Sequence, residues 1–253
     1  MNQKSLQADI RENVAEEDLL RADLYTLLST LLAAPASHET LEYCAKLSGD
    51  TSDIGEGIQA LATVATATKP QSAEREYNAL FVGLGRGELL PYASFYLTGF
   101  LNEKPLASLR RDMAARGLTR AENVYEPEDN IASLMEMMGA LIVGRFGPPA
   151  TLGNQKTFFN RHIAPWAGHF YSDLEAAEHS VFYASVGAVG RVGAAHGPAA
   201  GRLGGARPTD NQTRASMSRR QCAVSSLPAS LPCARLSQPL RWRVQIQRRS
   251  ACW

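Results

Sequence analysis

Ile131-Ala132-Ser133-Leu134-Met135-Glu136-Met137-Met138-Gly139-Ala140-Leu141-Ile142-Val143-Gly144 decides the fold class. Ile131, Leu134, Met135, Met138, Leu141 and Ile142 recur at spacings of three and four, the period that lays apolar side chains along one face of an α-helix. Glu128 and Asp129 stand where the first turn is expected, and carboxylates there suit the positive end of the helix dipole. Gly144 and then Gly147-Pro148-Pro149 end the pattern. The same period returns upstream in Leu20, Leu24, Leu27, Leu28, Leu31 and Leu32, with Glu16, Glu17, Asp18 and Arg21 at its beginning. It returns downstream from Trp166 through Phe170, Leu174 and Ala177. Weaker helical patterns cover 39–48, 56–68, 72–82, 104–116 and 155–163. No segment shows the strict alternation of a strand. The expectation is an all-α chain, a single helical-bundle domain.

Composition divides the chain. The 253 residues carry a formal net charge of +1, which describes neither part of them. Residues 1–192 hold 16 basic and 24 acidic side chains, a net −8, whereas residues 193–253 hold 10 and 1, a net +9. The second segment has no Lys, Glu, Phe or Tyr and is rich in Ala, Arg, Ser, Gly and Pro. Three readings of it stand side by side: a disordered tail, a basic arm that contacts nucleic-acid phosphates, or the product of GC-rich DNA translated out of frame. Arg without any Lys favours the last. The expected organisation is a helical domain over 1–192 and a tail over 193–253.

Several functional classes are disfavoured at once. No apolar run reaches the roughly 18–20 residues that span a bilayer. Residues 1–14 include Asp9 and Glu12 and lack the apolar core of a secretory signal, so a cytoplasmic protein is expected. Cys44 is the only cysteine before residue 193, and no CxxC pair occurs. That speaks against a disulfide framework or a cysteine zinc site. Gly83, Gly85 and Gly87 have the spacing of neither a dinucleotide fingerprint nor a P-loop and read as a loop leaving a helix. His162, His169, His179 and Asp173 lie close in sequence, and His169 with Asp173 shares a helix face. A surface ion pair explains that spacing better than a metal. No acid, base and nucleophile assemble, so neither an enzyme nor a cofactor is expected.

Three clusters remain. In the first, Tyr77, Leu80, Phe81 and Leu84 fall on one helical stripe, which reads as core packing. The second, Pro91-Tyr92-Ala93-Ser94-Phe95-Tyr96, crowds three aromatics behind a proline, as a groove wall or an interior wedge would. The third, Tyr125-Glu126-Pro127-Glu128-Asp129-Asn130, reads as a capped helix start. Taken in order, Glu76-Tyr77-x-x-Leu80-Phe81, Leu90-Pro91-Tyr92-x-Ser94-x-Tyr96 and Glu126-Pro127-x-Asp129-Asn130 resemble the motifs of the TorD/DmsD/NarJ family of redox-enzyme maturation chaperones. The resemblance covers residues 16–192.

The resemblance implies a TorD-like helical bundle and a non-enzymatic function. It implies a chaperone that binds the twin-arginine signal peptide, the catalytic subunit of a molybdenum oxidoreductase, or both. Such a chaperone assists molybdopterin insertion and delays export. Overall likeness favours formate dehydrogenase as the client. A monomer or a domain-swapped dimer is compatible with the family. The residues carried over as client-binding are Tyr77, Leu80, Phe81, Pro91, Tyr92, Ser94, Phe95, Tyr96, Glu126, Pro127, Asp129 and Asn130. The family's third cluster usually ends in Asp-His; Asn130 stands at that histidine position and cannot take up a proton. The family's last helix should run two or three turns beyond Val189, where this chain enters its Gly/Ala/Arg segment. Competing readings are a metal- or nucleotide-dependent hydrolase and a nucleic-acid binder acting through the tail.

Overall fold

The computed structural model describes residues 14–122, 124–195, 197 and 242–244. Over these the chain forms α1 (Glu16–Ala33), α2 (His38–Ala45), α3 (Asp53–Ala67), α4 (Pro70–Tyr77), α5 (Ala93–Thr98), α6 (Lys104–Ala115), α7 (Ile131–Val143), α8 (Leu152–His162), α9 (Ala167–Ala176) and α10 (Phe182–Ala195). The all-α fold expected from the periodicity is the one that forms. Local chemistry marks many of the helix starts. The side-chain oxygens of Ser37, Ser52, Asn130 and Thr151 each accept a backbone N–H from the first turn they precede. Pro70 opens α4, where a missing N–H costs nothing.

Two close approaches set the architecture. α1 lies along α7, and Ser29 donates its hydroxyl to the Ala132 carbonyl at 2.8 Å. Gly139 makes room there, since a Cβ on it would stand 3.2 Å from the Ala22 carbonyl. α10 packs against α9 and α3. At Gly190 a Cβ would fall 2.2 Å from the Tyr171 ring, so glycine lets that fully buried ring lie flat on the helix. Leu31, Leu61, Met137, Met138, Phe170, Phe182 and Val186 fill the space between, each fully buried. Side chains of this size contribute about 1.5–3 kcal/mol apiece when removed from water.

The structure departs from the sequence reading in four places. α7 begins at Ile131, so Glu128 and Asp129 precede the first turn, and the cap is Asn130. The stripe through Tyr77, Leu80 and Phe81 does not extend to Leu84. A π-helical turn over Asn78–Val82 follows α4, Gly83 takes φ +60°, and Leu84 stands fully exposed. Leu118–Arg120 forms a short strand, β1, antiparallel to β2 (Trp242–Val244). Three residues cannot display a period, and the partner lies more than 120 positions away. Finally, α10 runs to Ala195, so the compositional boundary at 192 falls inside a helix. The readings of 193–253 as disordered, as nucleic-acid-binding or as out-of-frame otherwise lie outside the described residues.

Candidate functional site

The second and third clusters meet, the first packs against α10, and their acids divide the labour. Glu76, in the first cluster, reaches across the chain to the start of α10. Its carboxylate accepts the backbone N–H groups of Val181 at 2.8 Å, Phe182 at 3.1 Å and Tyr183 at 2.6 Å. These are donors that a helix start leaves without intrahelical partners. Asp129, in the third cluster, treats α5 the same way. Its Oδ2 accepts both the backbone N–H of Ser94, at 2.8 Å, and the Ser94 hydroxyl. Asp129 is 1% exposed and Ser94 is fully buried.

Backbone bonds join the second cluster to the third. Ala93 N–H donates to the Asp129 carbonyl at 3.0 Å, and Ile131 N–H donates to the Pro91 carbonyl at 2.9 Å. Tyr92 and Asn130 thus face each other across an isolated antiparallel bridge. Pro91 is buried in this seam, and Pro127 accepts the Asn130 N–H at 3.2 Å.

The aromatics form two groups. Tyr77 and Phe81 meet edge to face at 4.9 Å between ring centroids, and both pack on Tyr183. Leu80 is fully buried beneath them. Tyr96 lies against Trp166 at 5.3 Å and Phe170 at 6.0 Å, and donates its hydroxyl to Asp173 at 2.8 Å. Phe95 is half-buried, with the Arg86 guanidinium 5.4 Å above its ring. Partial burial first, then Asp173, raise the Tyr96 hydroxyl well above the ordinary phenol range. Partial burial and Glu126 do the same to Tyr92. Both hydroxyls therefore stay protonated and act as donors.

Of the three acids between residues 126 and 129, one faces solvent. Glu128 is buried and held by Arg110, whose Nε and Nη2 donate at 3.0 and 2.7 Å. Asp129 is inside. Glu126 is exposed and accepts the Tyr92 hydroxyl. Beside Asp129 opens a cavity of about 360 Å³. Ala93, Leu109 and Leu134 line it together with Lys104, Arg111 and Arg161. Asp129 also lines it, and its Oδ1 is buried and without a hydrogen-bond partner among the described residues. Leu97, which also lines it, is exposed, as are Phe100 and Leu101 just beyond α5. Sequence reasoning passed over Leu97, Phe100 and Leu101, exposed apolar residues that straddle the end of α5. It also missed Arg110, which carries no local mark within its amphipathic helix.

The histidines have other work. His162 Nε2 lies 2.7 Å from Asp112 Oδ2, and His179 Nδ1 lies 2.9 Å from Glu88. Asp173 takes the Tyr96 hydroxyl. Among the described residues no three or more His, Cys, Asp or Glu are grouped to hold a metal. Burial pushes the Cys44 thiol up to about 12, so it is inert. No described helix is long and apolar enough to cross a membrane.

A helical scaffold that anchors itself with buried acids and displays aromatic, acidic and apolar side chains beside them is the build of a protein-binding protein. The model of the nitrate reductase delta subunit family matches residues 48–172. The chaperone protein TorD of Aliivibrio fischeri is 28% identical over 187 residues, covering 66% of this chain and 87% of that one. TorD of Vibrio cholerae serotype O1 is 28% identical over 170 residues, covering 59% and 77%. A solved structure of an Archaeoglobus fulgidus protein assigned to redox enzyme maturation aligns with a TM-score of 0.45 at 20% identity, over 68% of this chain and 91% of that one. Over 48–172 the chain is similar to the nitrate reductase delta subunit family, and over 66% of its length to a protein named as a TorD chaperone.

Proposed function

We propose that this chain is a chaperone that binds the twin-arginine signal peptide of a molybdenum oxidoreductase, with formate dehydrogenase the favoured client. Binding in the cytoplasm delays export while the molybdopterin cofactor enters the catalytic subunit. The observation that supports this reading is what the second and third clusters leave exposed: an acid, Glu126, and the large apolar residues that follow Tyr96. Glu126 accepts the Tyr92 hydroxyl, and Leu97, Phe100 and Leu101 are exposed. A twin-arginine peptide offers the complementary pair, guanidinium groups followed by an apolar stretch.

Apolar burial supplies affinity at roughly 25 cal/mol per Å², before association costs are met. Glu126 orients the arginines, since an exposed ion pair adds only about 0–1 kcal/mol. The net −8 of residues 1–192 draws in a basic segment. Buried Leu80, Pro91, Ser94, Asp129 and Asn130 serve the site by holding it in shape. The cationic Lys104 and Arg111 that line the cavity make it a poor seat for an arginine pair, which favours contact with Glu126 instead. Calorimetric titration with a twin-arginine peptide tests the reading. Micromolar or tighter binding by the folded chain supports it. No binding by a folded chain overturns it, and leaves direct contact with the mature catalytic subunit as the chaperone's route.

A further inference from the structure

α6 carries Lys104, Ser108 and Arg111 at spacings of four and three, which sets them along one helix face. All three line the cavity of about 360 Å³ beside Asp129. Arg161 and His162, at the end of α8, line it too. These two are committed to Asp112. Arg161 Nη1 donates to both of its carboxylate oxygens at 3.1 Å, and His162 Nε2 lies 2.7 Å from Oδ2. Lys104 and Arg111 are exposed, and among the described residues neither forms an ion pair. Two uncommitted cations thus border one cavity within a segment, residues 1–192, of net charge −8.

The rest of the wall is of two kinds. Ala93, Leu97, Leu109 and Leu134 are apolar. Asp129 is an acid, 1% exposed, whose Oδ2 is taken by Ser94 and whose buried Oδ1 has no hydrogen-bond partner among the described residues. A buried oxygen in that position is stabilised by any donor that reaches it. The cations ask for an anion and the carboxylate for a donor, and few chemical groups are both. A hydrogen phosphate is: its charged oxygens accept from Lys104 and Arg111, and its remaining O–H donates to a carboxylate. Sulfate, tetrahedral and anionic like phosphate, has no O–H near neutral pH and would set a bare anion against Asp129. The cavity is larger than a phosphate ion, and its apolar wall suits an organic body attached to the anion.

We propose that this cavity binds a small phosphorylated molecule, its phosphate seated between Lys104 and Arg111, its O–H donated to Asp129 and its organic part against Leu97, Leu109 and Leu134. The site is separate from the one read for a client peptide, since a phosphate seat selects against arginine, and neither reading needs the other.

Calorimetric titration of the full-length chain with inorganic phosphate, phenyl phosphate, sulfate and phenyl sulfate, at constant ionic strength, tests the proposal. At pH 6 a phosphate monoester, whose second pKa is about 6, keeps its O–H on about half of its molecules. Saturable binding of one phosphate per chain is expected, several-fold tighter for phenyl phosphate. Each sulfate should bind at least about tenfold more weakly than its phosphate counterpart. The double variant Lys104→Ala/Arg111→Ala changes only exposed side chains, so its melting temperature should stay that of wild type while its phosphate affinity falls at least about tenfold. No saturable phosphate binding by the folded chain overturns the proposal. Equal affinity for phosphate and sulfate does so as well, because it reduces the site to a general cationic surface. A double variant that binds phosphate as wild type does puts the ion elsewhere and has the same force. Phenyl phosphate no tighter than inorganic phosphate refutes the organic part. No peptide enters these titrations, so failure of the twin-arginine reading and failure of this one are separate results.

Discussion

Glu76 and Glu126 each belong to one of the motifs that mark this chain, and they do opposite things. Glu76 spends its carboxylate on three backbone N–H groups at the start of α10. Glu126 stays exposed and accepts a single tyrosine hydroxyl. The first builds the bundle and the second is displayed by it. Asp129 sides with Glu76, because it is buried and caps α5 from across the chain. A motif shared by a family therefore mixes two kinds of constraint, and a sequence pattern alone does not separate them. Burial and partner count do.

Substitutions sharpen the division. Asp129→Ala is expected to have the largest effect on stability. It strands the Ser94 N–H and hydroxyl in a buried site, at about 2–4 kcal/mol in all, seen as a fall in melting temperature of roughly 5–15 °C. A loss below about 1 kcal/mol would move Asp129 out of the building set. Glu76→Ala follows, at about 2–3 kcal/mol. Glu76→Gln, which keeps an acceptor, should recover part of the loss. If Gln and Ala are equally damaging, charge rather than capping holds α10.

His162 gives a pH test within the scaffold. Burial holds its folded-state pKa below the ordinary value, against the pull of Asp112, while nearby Arg161 and Arg116 add to the lowering. Below about 6.5 the unfolded imidazole takes up a proton that the folded one resists. Stability should therefore fall as pH drops from 7 toward 5.5, then level off beneath the folded value. His179 acts in the opposite sense, since its hydrogen bond to Glu88 raises it, but it is fully exposed. Asp112 is lowered too, and its contribution disappears only in more acidic solution. Thermal melts of wild type and His162→Gln from pH 5.5 to 7 isolate the histidine. A variant with the same slope as wild type would show that His162 does not control it.

The helical architecture was largely legible because its evidence is local and periodic. The stripes of α1 and α7 fix themselves by spacing, and Gly144 ends α7 in the left-handed conformation that its position suggested. The site was legible only as a list of residue types. That Glu76 reaches residues 181–183, that Arg110 silences Glu128 and that Tyr96 meets Asp173 are pairings across long stretches of chain, and no period announces them. Leu84 failed for a local reason, since a π-turn and a positive φ at Gly83 rotate it out of the stripe. β1 failed because three residues are too few to show alternation.

The smallest expected change in stability belongs to Glu126, and the most direct test lies there. Glu126→Ala should alter folding stability by less than about 0.5 kcal/mol, as exposed substitutions do. Calorimetric titration of wild type and Glu126→Ala with a twin-arginine peptide, at low and high salt, compares display with structure directly. Several-fold weaker binding by a variant with an unchanged melting temperature, with the gap narrowing at high salt, is the predicted result. Equal affinity for the two proteins would contradict the assignment of Glu126 to the client-facing side.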